Sequence, residues 1–432
     1  MEQLIDRAGV IIPWTDPIDR PSEERLKETE GLIKALGFEA AFVRAEQLRS
    51  PSASHLLSGG LLDRFDDNLR ESGASLAVID AALTPVQQRN LETRLGQKVV
   101  DRTGLILEIF GLRARTREGV LQVEHARLLY ERSRLVRTWT HLERQRGGSG
   151  FLGGPGETQL ESDRRMLDRQ LASFRRQLED VRRTRGVQRA GRRRQSKPLV
   201  ALVGYTNAGK STLFNRLSGA DVLAKDMPFA TLDSTIRKFS LPTLGDGSLV
   251  DTVGFITDLP TGLIDSFRAT LEETLAADLI LHVRDRASPD DAQQKREVLK
   301  VLQQLTNAAG EPLPPVIEAW NKADCLSPRQ RAVLAGTPET DPNGDDRAVL
   351  VSALTGEGVD QLLAVIEAEL LSGTARLSVT LGPDDGAARA WIHAHAQVED
   401  ETFKDNGNVD LRVRLAQPEI GRLKTLFGIE ID

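Results

Sequence analysis

Residues 199–211 read LVALVGYTNAGKS: five apolar residues, then Gly-x-x-x-x-Gly-Lys-Ser, and the helix-like stretch TLFNRLSG after it. A buried strand must deliver glycines to a tight turn and a helix must start at once. The turn's amides and the helix N-terminus then form an anion cradle. Gly204 and Gly209 let the backbone of Tyr205, Thr206, Asn207 and Ala208 close around phosphates. Lys210 reaches the β and γ phosphates, the Ser211 hydroxyl suits Mg2+, and Thr212 follows in the helix. The pattern implies an α/β domain whose parallel sheet carries its ligand at the strand ends.

Four further elements follow in order. SLV leads into Asp251, Thr252, Val253 and Gly254; Asp251 can hold Mg2+ directly or through water, and the Gly254 amide can bond the γ-phosphate. Between them Phe229, Ala230, Thr231, Leu232 and Asp233 offer the Thr231 hydroxyl to the metal when the third phosphate is present, with Thr235 as the rival. PVIEAW leads into Asn321, Lys322, Ala323 and Asp324. A carboxylate there accepts both N1–H and the 2-amino group of guanine, and adenine would leave it unpaired. Lys322 would lie over the base and Asn321 would tie this loop to the phosphate loop. After VLV, the amides of Ser352, Ala353 and Leu354 can meet the guanine carbonyl. GTP and GDP are the expected ligands, with Ser211, Thr231 and Asp251 as metal ligands and Lys210, Thr231 and Gly254 as the catalytic set. The position after Gly254, where a Ras-like GTPase has a water-orienting glutamine, is Phe255. Phenylalanine cannot orient water, so intrinsic turnover should be slow until a partner or another domain supplies the missing group; a backbone or water network is the competing idea.

Outside this unit the texture changes. Up to residue 112, apolar runs at 10–12, 41–43, 76–79 and 98–100 alternate with amphipathic stretches, implying a small parallel α/β domain without a catalytic cluster. Over 113–196, Leu121, Leu128, Leu135 and Leu142 recur every seven residues. Leu160, Leu167, Leu171, Phe174, Leu178 and Val181 form a second seam. Two such helices pair as an antiparallel hairpin. The tip, residues 147–157, has six glycines in eleven residues, with Phe151 and Leu152 at its centre, which suggests a probe for a partner. Thr158 with Glu161 reads as the capping box of the second helix. Residues 113–194 hold 21 Arg, no Lys and 10 Asp plus Glu, a net of +11, which leaves −17 for the rest of the chain. Arginine without lysine favours bidentate phosphate contacts and base stacking, so RNA is the leading partner, with DNA or an acidic protein behind it.

After a GTPase unit spanning 197–372, residues 373–432 suggest a small α+β domain with an Asn406-Gly407 turn. His393 and His395 are read as surface or packing residues. The single cysteine, Cys325, excludes an intramolecular disulfide. With no signal-like N-terminus and no apolar run near the ~20 residues a membrane helix needs, a cytoplasmic monomer is expected.

The stretches VVDRTGLILEIFGLRARTREGVLQVEHARL, WTHLERQRGGSGFLGGPGETQLESDRR, GYTNAGKSTLFN, FATLD, DTVGFITDLP and NKAD resemble the HflX family of the Obg-HflX group, over residues 98–324. The family commonly reads FATLDPTTR where this chain has FATLDSTIR, so Ser234 and Ile236 are departures, and Thr231 is intact. The resemblance implies a ribosome-associated GTPase whose N-terminal domain and hairpin bind the large ribosomal subunit and its rRNA near the peptidyl-transferase region. Ribosome splitting and rescue, often after stress, would be its work, with a ribosome-bound or peripherally membrane-associated pool. A broad-specificity RNA-remodelling NTPase and a nucleotide-stabilised RNA-binding scaffold are the alternatives; NKAD argues against the first, and intact Lys210, Ser211, Thr231 and Asp251 argue against the second, which Phe255 keeps open.

Overall fold

Strand β1 (Arg7–Trp14) lies between β2 (Glu39–Gln47) and β3 (Leu76–Ile79), with β4 (Lys98–Asp101) beyond β3, all parallel. Ala8 to Ile12 and the whole of β3 are buried, as expected of parallel strands covered on both faces. The helices start and stop where their capping residues require. Ser22 accepts the Arg25 amide at α1 (Glu23–Ala35), and Thr84 and Gln87 form a reciprocal capping box at α3 (Pro85–Leu95). Helix α2 (Gly59–Ser72) ends on left-handed Gly73, and Asp101 caps α4 (Arg102–Arg113). This computed structural model describes residues 6–17, 20–145, 155–193, 197–220, 228–229, 231–257, 263, 266, 273–310, 312–336 and 348–429.

The helices of the expected hairpin are α5 (Arg117–Gln145) and α6 (Pro155–Arg193), packed on each other and tied by Arg132–Asp168 at 3.0 Å. Leu121, Leu167 and Leu171 of the two seams are buried. The side chains of Leu135, Leu142 and Leu160, and tip residues 147–154, lie outside the described residues. The capping-box expectation is corrected. The second helix already begins at Pro155, whose fixed φ suits a first turn, so Thr158 sits inside it and Glu161 pairs instead with Arg165 at 2.5 Å. The base of α5 is fastened to the first sheet, where Tyr130 donates to Asp101 at 2.7 Å.

The second sheet has strand order β10-β9-β8-β5-β7-β6, from β5 (Leu199–Gly204), β6 (Thr235–Leu241), β7 (Gly245–Asp251), β8 (Leu279–Asp285), β9 (Val316–Asn321) and β10 (Ala348–Leu350). Only β6 runs antiparallel. The loops after β5, β7, β9 and β10 therefore share one edge, where open α/β sheets take ligands. Helix α7 (Lys210–Ser218) follows β5 directly.

The last sheet, β11 (Thr374–Leu381), β13 (Val409–Ala416) and β12 (Gln397–Phe403), is antiparallel, and its core includes Ile392 and Leu423 of the two adjoining helices. The hairpin turn falls at the expected Asn-Gly, with Gly407 left-handed at φ 83°. His395 stacks on Trp391 and His393 faces Glu401 at 3.5 Å, packing and surface roles as read from the sequence.

The first two sheets are not separate bodies. One apolar core runs from Val10, Ile33 and Phe110 through Val203, Tyr205, Phe229, Leu232, Val253 and Phe255.

Candidate functional site

A cleft of about 350 Å³ opens at the shared edge of the second sheet, lined among others by Thr206, Asn207, Gly209, Lys210, Thr212, Gly254, Asn321, Lys322, Asp324 and Leu354. Its floor is the phosphate loop. Gly209 sits at φ +91°, and a Cβ there would come within 2.1 Å of Asn321 Nδ2, so side-chain-free backbone is required at this crossing. Lys210 is 6% exposed, and Nζ donates to the carbonyls of Gly204 (3.0 Å) and Tyr205 (2.8 Å). Burial pulls its pKa down to about 8, against the nearby Asp251 carboxylate. A phosphate in the loop would supply the anionic partner.

Beside Lys210 three oxygens converge. Ser211 Oγ lies 2.9 Å from both Thr231 Oγ1 and Asp251 Oδ2, and Thr231 Oγ1 lies 2.8 Å from the same Oδ2. The other carboxylate oxygen, Asp251 Oδ1, is buried with no hydrogen-bond partner, and burial raises the carboxyl pKa. Hard oxygen donors of one carboxylate and two hydroxyls, one atom still unsatisfied, fit Mg2+ completed by phosphate oxygens and water. Thr235, the rival, is exposed on β6. Among the described residues no group of three His, Cys, Asp or Glu is placed to hold a metal elsewhere.

The base end is organised by Asn321. Its Nδ2 donates to the Ala208 carbonyl at 2.8 Å and its Oδ1 accepts the Ala353 amide at 2.9 Å, so one side chain joins three loops. Asp324 Oδ1 accepts from Ser352 Oγ at 2.5 Å, a bond that holds the carboxyl below its usual range. Lys322 is left-handed at φ +64°, with its ammonium on Asp285 at 2.7 Å. Ala323 is fully buried behind the loop. Ser352 and Ala353 differ from expectation. Their amides are engaged by Glu357 O and Asn321 Oδ1, while Ala353 and Leu354 line the cleft.

The loop after β7 is fixed by the phosphate loop itself: Phe255 N donates to Gly204 O at 3.1 Å and Thr206 N to Phe255 O at 2.7 Å. Thr252 bonds Leu202 O at 2.6 Å, and Val253 is 7% exposed in the shared core. A Cβ on Gly254 would meet Thr206 Cγ2 at 2.9 Å and Lys210 Nζ at 3.1 Å. Phe255 is 2% exposed in the core between the two sheets, far from any role with water.

The FATLD expectation divides. Thr231 faces the oxygen cluster and Phe229 lines the cleft, but Leu232 and Asp233, expected at the nucleotide, turn away. Leu232 enters the core shared with the first sheet, and Asp233 bonds the start of α5. Ala230 lies outside the described residues. Tyr205 also turns away, its hydroxyl bonding Glu28 of α1 and Thr257 Oγ1 (2.6 Å). The sequence reading missed Glu28, Arg102, Thr116 and Asp285. Their partners lie 177, 155, 117 and 37 positions away in the chain, too far for any local pattern to pair them.

Family descriptions match four successive stretches: "GTP-binding GTPase N-terminal" residues 23–111, "GTP-binding GTPase Middle Region" 113–192, "50S ribosome-binding GTPase" 199–322 and "HflX C-terminal domain" 340–430. The chain is 44% identical over 425 residues to a GTPase HflX of Magnetococcus marinus, covering 98% of this chain and 95% of that one. It belongs to the HflX family. A GTPase HflX of Escherichia coli is 41% identical over 392 residues, covering 91% and 90% of the two chains. A GTP-binding protein of Sulfolobus solfataricus solved with GDP is 22% identical, covers 85% of this chain and 99% of its own, and superposes with a TM-score of 0.44. As an HflX-family member the chain is a GTP-binding GTPase. Among the described residues no helix is long and apolar enough to cross a membrane.

Proposed function

We propose that this HflX-family GTPase works on the ribosome. Its arginine-rich hairpin engages rRNA of the large subunit, and GTP hydrolysis controls that engagement during splitting, rescue or recycling of ribosomes under stress. The observation that carries the reading is the packing of the hairpin's base against the nucleotide unit: the Thr116 amide, just before α5, donates to Asp233 at 3.0 Å, and His125 Nδ1 of α5 lies 3.0 Å from Ser266 Oγ. The family description "50S ribosome-binding GTPase" is consistent with it. The division of labour follows four stretches: 1–112 and 113–196 for ribosome contact, 197–372 for nucleotide, and 373–432 as a small α+β domain without a catalytic signature. The protein would act as a cytoplasmic monomer.

In the hydrolysis step Lys210 balances charge on the β and γ phosphates and the Gly254 amide fixes a γ-phosphate oxygen. Ser211, Thr231 and Asp251 would hold Mg2+, which when bound neutralises charge developing on the phosphate oxygens. Asp324 selects guanine. With Phe255 turned into the core, no side chain from that position reaches the attacking water, so turnover of the free protein should be slow. The test is GTP turnover with and without purified large ribosomal subunits, with Lys210→Ala as control. Strong Lys210-dependent stimulation supports the reading. Absent stimulation, with ATP turned over equally, would refute it.

A further inference from the structure

The residues between α7 and β6 face in different directions. Thr231 faces Ser211 and Asp251, whereas Phe229, Leu232 and Asp233 meet parts of the chain that precede the second sheet, and Ser234 donates to Glu273 Oε2 at 2.8 Å. Phe229 packs edge-on against Phe110 of α4 at 4.6 Å, and Leu232 shares that core. Asp233 Oδ2 accepts the backbone amides of Arg115 and Thr116, both at 3.0 Å, and Oδ1 accepts the Thr116 hydroxyl at 2.5 Å. Thr116 Oγ1 in turn accepts the Gly119 amide at 3.0 Å, capping the first turn of α5. A carboxylate on several N–H and O–H donors at a helix N-terminus is a charge-assisted arrangement that the helix dipole favours. The seat is also tight. A Cβ on Gly119 would lie 2.2 Å from Asp233 Oδ1.

Only Leu232 separates Asp233 from Thr231, so displacing the first drags the second. We infer that Thr116 and Gly119 are positioning residues for GTP hydrolysis: the seat they form for Asp233 keeps the Thr231 hydroxyl at the Ser211–Asp251 oxygen cluster. This deepens the proposed function and rests on its reading of Thr231 as a metal ligand in the GTP state. It also gives the coupling a direction. Any partner that shifts the long α5 helix acts on Thr231 through the helix's first turn, and loss of the γ-phosphate, by releasing Thr231, loosens the cap of α5 in return.

The test uses the full-length chain carrying Gly119→Ala, Thr116→Val or Thr116→Ser, with Thr231→Ala as reference. Alanine is a better helix former than glycine, so Gly119→Ala should fold while its methyl displaces Asp233. Binding of fluorescent GDP and of a non-hydrolysable GTP analogue is measured across Mg2+ concentrations. Hydrogen exchange is followed at 113–120 and 231–235 without nucleotide. Analogue affinity should fall about tenfold in Gly119→Ala while GDP affinity stays within about twofold, since roughly one net hydrogen bond to a charged group is at stake. Half-saturating Mg2+ for the analogue should rise by a similar factor, the amides of residues 115 and 116 should exchange faster, and kcat should fall more than KM. Thr116→Val should follow in part, and Thr116→Ser should restore parent behaviour. Equal loss of GDP and analogue binding, or an unchanged analogue-to-GDP ratio in Gly119→Ala while Thr231→Ala lowers it, would overturn the inference. If Thr231→Ala itself leaves the ratio unchanged, the metal-ligand reading falls and takes this inference with it.

Discussion

The Arg102 guanidinium donates twice to the Thr257 carbonyl, from Nη2 at 2.8 Å and Nε at 3.2 Å, so the first residue of α4 grips the loop after β7 two positions past Phe255. The same side chain bonds Asp80 Oδ1 at 2.6 Å and Glu28 Oε1 at 2.8 Å. Burial opposes the charge on Asp80, but Arg102 and Arg25 hold its carboxyl below the usual range. Arg102→Met would strand buried carboxylates and should cost about 3–5 kcal/mol, read as a lower urea midpoint, with Arg102→Lys recovering part of the loss. A loss under about 1 kcal/mol would show that water replaces the arginine freely.

Asp324→Asn should change which base is read. The carboxylate suits two donors on guanine, whereas a carboxamide offers one donor and one acceptor, which suits xanthine. GTP affinity should fall at least about a hundredfold and XTP should overtake it, measured by displacement of fluorescent GDP. A variant that still prefers GTP would remove Asp324 from base recognition.

His282 should make stability depend on pH. It is 1% exposed on β8, with Nδ1 4.0 Å from Glu318 Oε1. Burial drives its pKa down to about 4, with Glu318 and Asp291 opposing and Arg284 and Lys295 assisting. The unfolded chain takes up this proton near pH 6.5 and the folded chain only near 4. Its contribution is therefore complete above 6.5 and lost progressively as pH falls to 4, by about 3 kcal/mol. Denaturant midpoints of the parent and His282→Asn should converge on acidification; parallel curves from pH 7 to 4.5 would contradict the assignment.

Arginines on the exposed side of α6 should set the salt dependence of RNA binding. Replacing Arg164, Arg169 and Arg175, all exposed, with Glu should weaken binding to large ribosomal subunits. The slope of log affinity against log salt should flatten by about two to three, near one per lost phosphate contact, with GTPase activity of the free protein retained. Unchanged binding would move the RNA contact elsewhere.

Much of this architecture could be read from the sequence because its signals are local. GYTNAGKS, DTVG and NKAD each lie at the end of their own strand, and the apolar runs at 76–79 and 98–100 became β3 and β4 nearly residue for residue. What could not be read depends on surfaces that meet far apart in the chain. Leu232 and Asp233 sit in a nucleotide motif, yet the first sheet and α5 claim their side chains, and periodicity carries no mark of that. The Ala353 amide was assigned to the base because the Asn321 carboxamide that takes it lies on another loop. Thr158 failed as a cap for a nearer reason: Pro155 already permits the helix to start.

The core shared by the first two sheets also bears on how the enzyme can be dissected. A fragment beginning at residue 197 would contain every nucleotide motif, yet it would expose Phe229, Leu232, Val253, Phe255 and Ile256 as a contiguous apolar strip. Such a fragment should self-associate, and its turnover would report a damaged loop geometry. The boundary ahead of the nucleotide motifs, clean on the sequence, would run through the middle of an oil drop in the folded protein.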